Sequence, residues 1–187
     1  TVQVNQTLGM SIVLYTGNAS GAGAEQTIGH GLGVIPDIIL FKARDYGGQN
    51  WYMYNKYLNT PVTSHVELDT SAGQHSDGDY MNRVAPTSSV FSLGYNFTTN
   101  KNGNLYIAYC FHSVESYSKI GFYKGNGNAD GQFVYLGFRP AYMMFKRTDT
   151  TGNWFVKDNK REPFNVMNIN MHPNLTSAEG SPSGTHL

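Results

Sequence analysis

Leu32-Gly-Val-Ile-Pro-Asp-Ile-Ile-Leu-Phe-Lys42 returns later in the chain as Leu136-Gly-Phe-Arg-Pro-Ala-Tyr-Met-Met-Phe-Lys146. In both copies a proline stands just ahead of a short apolar run that ends on Phe-Lys. Runs of about four to eight residues, bounded by Gly, Pro, Asn and Asp, read as strands rather than helices. Proline is tolerated where a strand begins, because its missing N–H breaks no ladder bond there. Asp37–Lys42 is apolar on both faces, and so is Leu105–Phe111. Such runs suit central strands covered on two sides.

The correspondence extends outward from this stretch. Upstream, Tyr15-Thr16-Gly17-Asn18 matches Tyr123-Lys124-Gly125-Asn126; downstream, Trp51 matches Trp154 and Asn55-Lys56 matches Asn159-Lys160. The offset is 108 at the tyrosines (123 − 15), 104 at the prolines (140 − 36) and 103 at the tryptophans (154 − 51). A shortened loop after the YxGN turn absorbs most of that drift. Solenoid and propeller units recur at roughly 20–50 residues, whereas this period has the size of a small domain. The pattern predicts an internal duplication: an N-terminal extension over 1–10, a first unit over 11–116 and a second over 117–187.

Strands are expected at Ser11–Tyr15, Ile38–Lys42, Trp51–Asn55, Val90–Leu93 and Leu105–Phe111 in the first unit. In the second they are expected at Ile120–Tyr123, Gln132–Leu136, Tyr142–Lys146 and Asn153–Lys157. Tyr46-Gly-Gly-Gln-Asn50 and Asp149-Thr-Thr-Gly-Asn153 precede the two tryptophans, with glycine able to supply the positive φ of a hairpin turn. No helical period of ten or more residues is present. The fold class is therefore all-β: two related antiparallel β-sandwich units of jelly-roll or lectin-like type. The second is incomplete. Thr70-Ser-Ala-Gly73 is followed by two more strands, whereas the matching Thr176-Ser-Ala-Glu-Gly180 is followed by seven residues. Either the polypeptide continues past Leu187 or another segment closes the last sheet, since a sheet left two strands short exposes its edges.

Composition agrees with turn-rich β-structure. Of the 187 residues 13% are aromatic and 14% charged, with 21 glycines; charged residues usually reach about 25%. Lys+Arg and Asp+Glu are both 13, so the net charge is zero and no basic stripe exists for nucleic acid. A neutral surface offers little electrostatic resistance to self-association. No stretch approaches the ~20 apolar residues of a membrane helix. The single cysteine, Cys110, excludes an intrachain disulfide, fits synthesis in a reducing cytoplasm, and reads as a buried inert thiol. Thr1-Val-Gln-Val-Asn5 is no signal peptide, and the missing initiator methionine suggests numbering from within a longer or processed product.

Chemistry-bearing motifs are weak. Gly29-His-Gly-Leu-Gly33 lacks the following helix that a phosphate loop needs, so His30 reads as a turn residue with a satisfied ring. His75-Ser-Asp-Gly-Asp79 has too few carboxylates for a calcium loop. The six histidines, His186 among them, show no metal-ligand pairing, and no metal or cofactor is assigned. Serines lack a GxSxG context and the scattered glutamates form no repeated pair, so no catalytic residue is assigned. Trp51, Tyr52 and Trp154 are candidate sugar-stacking rings, although each Trp also opens an aromatic strand in the manner of a core residue.

Ile28–Lys42, Trp51, Ala85–Gly94 and Tyr106–Phe111 together resemble a repeated domain of unknown function in structural proteins of tailed phages, frequent in marine and cyanobacterial phages. Tyr117–Asn126 and Gly137–Asp149 resemble its second copy. The resemblance implies a virion component, such as a tail-fibre, tail or capsid-surface protein, and implies no catalytic residues. It further implies other virion proteins as partners, a homo-oligomer such as a trimer in a fibre, and location in the virion after synthesis in the host cytoplasm. A host-surface glycan is the other partner class considered. In that family the second copy runs on with strands like those at Val90–Phe111.

Overall fold

A computed structural model of the chain describes residues 1–128, 130–164 and 167–180; His186 and the stretch after Gly180 lie outside them. Eleven strands and one short helix occur among the described residues. They are β1 (Val2–Asn5), β2 (Met10–Thr16), β3 (Gln26–Gly29), β4 (Ile38–Ala43), β5 (Tyr52–Asn55), β6 (Ser64–Glu67), β7 (His75–Ser76) and β8 (Val90–Leu93). Then come α1 (Phe97–Asn100), β9 (Leu105–Phe111), β10 (Tyr142–Lys146) and β11 (Trp154–Asp158). The protein is all-β and its named strands pair antiparallel, consistent with a β-sandwich.

Seven strands form one sheet in the order β1-β2-β9-β4-β5-β6-β7, faced by a two-stranded ribbon of β3 and β8. The two apolar runs read as central strands, β4 and β9, lie side by side in the middle. Alternation sends Val13 and Tyr15, Tyr106, Ala108 and Cys110, and Ile39 and Phe41 to the inner face, all buried. Large and small residues are matched across the ladder: Ala108 lies between Val13 and Phe41, and Cys110 between Ser11 and Ile39. Phe91 of β8 closes the core, edge-on to Phe41 at 5.4 Å and to Tyr15 at 6.2 Å. Such aromatic pairs add stabilisation beyond their buried area.

The YxGN turn after β2 is held by the segment leading into β9. Asn96 caps α1, accepting from the N–H groups of Thr98 and Thr99 at 2.8 and 3.2 Å. That placement lets the Tyr15 hydroxyl donate to the Thr99 carbonyl at 2.7 Å and stack on Tyr106 at 5.3 Å. The Asn18 N–H donates to the Asn100 side chain at 3.0 Å. Gly17 must be glycine, because a methyl there would collide with the Lys101 carbonyl.

After Phe111 the chain forms one antiparallel hairpin, β10–β11, and two single bridges, Val156↔Met171 and Asn170↔Gly180. The hairpin has the register of β4–β5: Tyr142↔Asp158 and Phe145↔Phe155 in one, Ile38↔Asn55 and Phe41↔Tyr52 in the other. The bridges fall where β5–β6 pairs Met53 with Val66 and β6–β7 pairs His65 with His75. Side chains repeat too. The Trp51 N–H donates to Asp69 and the Trp154 N–H to Asn174, both at 3.0 Å. The Lys42 ammonium reaches the Gln49 carbonyl, and the Lys146 ammonium that of Gly152.

Two expectations are corrected. Ile120–Tyr123 and Gln132–Leu136 are apolar enough for strands but are not strands. The matching β2 pairs with β9, and β3 with β8. No described residue after Gly127 takes the place of β8 or β9, and a ladder needs both sides. Within the expected N-terminal extension, Val2–Asn5 adds an edge strand to β2.

Candidate binding surface

The outer face of the large sheet is apolar as well. Ile12, Tyr109, Leu40, Met53 and Val66 run across β2, β9, β4, β5 and β6 in one row. At one end Trp154 and Met144 of the hairpin pack on Met53, Val66, Leu58 and Leu40. At the other end Ile12, Leu14, Ile107 and Tyr109 remain half-exposed.

The three candidate stacking rings are placed differently. Trp51 is half-buried on the outer face, with its ring 6.1 Å from Tyr109 and the Lys42 ammonium 5.7 Å from its centroid. Tyr52 faces inward; His65 lies flat on its ring at 3.8 Å and Tyr80 meets it at 6.2 Å. Trp154 is 3% exposed, with its indole N–H donating to the Glu67 carbonyl at 2.8 Å, so it has no free face for a sugar. Trp51 leads into β5 and Trp154 opens β11, in hairpins of the same register, yet of the two hairpins only β10–β11 lies down on another sheet.

A histidine cluster sits between β5, β6 and β7, where sequence reading singled out only His75. His65 is buried, stacked between Tyr52 and His75, and neither of its ring nitrogens has a hydrogen-bond partner. Burial holds its pKa down at about 4, against the opposing pull of Asp77 and Glu67. Glu67 is buried, accepts from the Thr70 hydroxyl at 3.0 Å, and lies 3.9 Å from His65 and 3.8 Å from His75. Among the described residues no three His, Cys, Asp or Glu side chains converge to hold a metal ion. The Asp77 carboxylate is engaged by the Asp79 N–H and the Asn96 amide.

The remaining sequence candidates are structural in geometry. His30 is buried, with its Nε2–H donating to the Thr87 carbonyl at 3.1 Å and its Nδ1 accepting from the Leu32 N–H at 3.3 Å. The two contacts fix a neutral ring, and burial lowers its pKa. Cys110 is fully buried and free, and burial pushes its thiol up to about 12. An unforeseen polar node joins Asp37, Lys56 and Ser113. One Asp37 oxygen accepts from the Ser113 N–H and hydroxyl, both at 2.7 Å, and the other pairs with Lys56. The signal for it was the lone Asp between Pro36 and the apolar strand β4.

Among the described residues no helix is long and apolar enough to cross a membrane. No curated protein and no solved structure matches the chain. The family model of the domain of unknown function DUF7483 matches residues 1–187, the whole of the sequence. The chain therefore belongs to the DUF7483 family of domains of unknown function.

Proposed function

We propose that the chain is a non-enzymatic structural and adhesive component of a tailed-phage virion, built by tandem duplication and acting through protein–protein contacts. The duplication is supported by the shared hairpin register, the two bridges and the repeated Trp N–H and Lys hydrogen bonds. The assembly reading is carried by one observation: Phe122 is 76% exposed, Tyr135 78%, Phe164 82% and Phe133 84%. Burying one such ring gains roughly 1.5–3 kcal/mol, and contiguous apolar exposure, as at Phe133 and Tyr135 beside one cleft, marks surfaces that meet other proteins. The partners are other virion proteins and further copies, in a closed homo-oligomer and a trimer if the particle element is a fibre. The setting is a tail fibre, tail or capsid surface, reached after synthesis in the host cytoplasm. Imaging of phage particles labelled with an antibody fragment against the chain should place density on the virion surface. A chain that stays monomeric at high concentration and binds no virion protein overturns the reading.

A second reading is a carbohydrate-binding module for host attachment. Trp51 alone favours it, as a half-exposed ring with a neighbouring Lys42 to orient a polar ligand. A glycan array should then give hits that Trp51→Ala abolishes, and an array without hits removes the module.

A further inference from the structure

Among the described residues, the second YxGN motif meets no segment like the one that enters β9. In the first unit, Tyr15, Gly17 and Asn18 of the motif each contact the segment entering β9, besides bonds and ring contacts to Glu25 and Phe91. Tyr15 meets Thr99 and Tyr106, Gly17 presses on Lys101, and Asn18 pairs with Asn100. In the second unit Tyr123 is 50% exposed, against 9% for Tyr15. A methyl on Gly125 would meet nothing within 4 Å, and among the described residues Asn126 bonds to the nearby Asn128 and Asp130.

The strand edge tells the same story. β4 is paired on both sides, by β5 and by β9, whereas β10 is paired only by β11 among the described residues. Ile39 and Phe41 are fully buried; the matching Met143 and Phe145 are half-exposed. Leu32 is 2% exposed, while the matching Leu136 lines an open cleft of about 510 Å³ together with Phe133, Tyr135, Phe138 and Met143. The cleft occupies the position that the core fills in the first unit.

We infer that the free edge of β10 and the Tyr123–Asn126 turn form a docking surface for a β-strand segment of the Asn96–Phe111 type, supplied from outside the described residues. The inference rests on the duplication and assembly readings above. The first unit specifies the occupant. It runs antiparallel to β10, as β9 does to β4, with Phe111↔Ile38 through Tyr106↔Ala43 as the template. It carries small side chains opposite Met143 and Phe145, where β9 has Cys110 opposite Ile39 and Ala108 opposite Phe41. It enters through an Asn-bearing turn whose backbone lies flat on Gly125. Main-chain bonds to an open edge supply affinity, and alternate side chains supply selection.

The test appends a second copy of residues 86–111 to the full chain through a flexible linker and measures amide hydrogen exchange. Expected is a gain of about tenfold or more in protection over Ile120–Asn126 and Tyr142–Lys146. Two variants decide whether the geometry is the proposed one. Gly125→Ala should leave the unmodified chain unchanged and cancel the gain, and so should Phe in place of the appended Ala108. Unchanged protection, a gain that survives both variants, or protection that the unmodified chain acquires by self-association overturns the proposal. Capture is read without any particle, so its failure leaves the virion reading standing, and absence from the virion leaves capture standing.

Discussion

The indole N–H of Trp154 donates to the main-chain oxygen of Glu67 at 2.8 Å, across 87 residues of sequence. That bond anchors the second hairpin on the outer face of the first sheet, within the cluster of Met53, Leu58 and Val66. Trp154→Phe keeps much of the apolar contact and leaves the Glu67 carbonyl without its donor, for a cost of about 1–2 kcal/mol. Trp154→Ala also empties the ring's volume and should cost about 3–5 kcal/mol. Denaturant unfolding followed by circular dichroism measures both. Equal stabilities for the two variants would show that the hydrogen bond, and not the ring volume, holds the hairpin.

Asp37 is a buried carboxylate that is nevertheless ionised. Burial pushes its pKa up, but hydrogen bonds from Lys56 and Ser113 outweigh burial and hold it below the ordinary carboxylate value. A depressed carboxylate stabilises the fold above its unfolded pKa, near 4, and loses that contribution as pH falls through the folded value. Asp37→Asn should therefore destabilise by about 1–3 kcal/mol at pH 7, because it leaves Lys56 and Ser113 without the charge they face. The gap between variant and parent should close in acid. A gap that is constant from pH 7 to pH 3 would mean that shape and not charge matters at Asp37. The second hairpin has Ala141 at the matching place, so no counterpart pair is present to complicate the measurement.

The elements legible in the sequence are those whose information is local. β4 and β9 announce themselves by unbroken apolarity, and the structure places both in the centre of the sheet. β1, β6 and β7 do not, because Val2–Asn5, Ser64–Glu67 and His75–Ser76 are short segments that mix polar residues with apolar ones. Ile120–Tyr123 shows the opposite failure: its pattern is that of a strand, but strand formation depends on a partner that no local pattern records. The buried histidine was hidden for a similar reason. His65 owes its environment to Tyr52 and His75, which approach from neighbouring strands. Trp51 and Trp154 sit in similar sequence contexts, but their burial was illegible there, since it depends on which sheet lies beneath each ring.

Cys110 sits in the middle of β9, opposite Ser11 on one side and Ile39 on the other. Full burial raises its thiol pKa to about 12, so it carries almost no thiolate at neutral pH. A disulfide-exchange reagent should leave the folded chain unlabelled and label one thiol per chain in denaturant. Rapid labelling of folded protein would mean that β9 opens at the centre of the sheet. Cys110→Leu adds volume to a filled row and should cost about 1–3 kcal/mol through overpacking, measured by thermal or urea unfolding.

His65 makes stability depend on pH in a separate window. Its neutral ring is the buried form, with a folded pKa of about 4 against an unfolded value of 6.5, set by burial first and by His75 in the same direction. Asp77 and Glu67 pull the other way; Tyr52 and Tyr80 add no charge at these pH values. Above about pH 6.5 both states are neutral at this residue and its pH-dependent contribution is flat. As pH falls from 6.5 to 4 the unfolded chain takes up a proton that the folded chain refuses, so stability declines. The decline should total on the order of 3 kcal/mol. It should be complete near pH 4, where the loss at Asp37 begins. His65→Phe keeps the stack between Tyr52 and His75 and removes its titration, so its urea midpoint should fall markedly less than the parent's from pH 7 to pH 5, with the remaining slope left to His30. An undiminished slope in that variant would move the effect to His30, the other buried histidine whose pKa burial lowers.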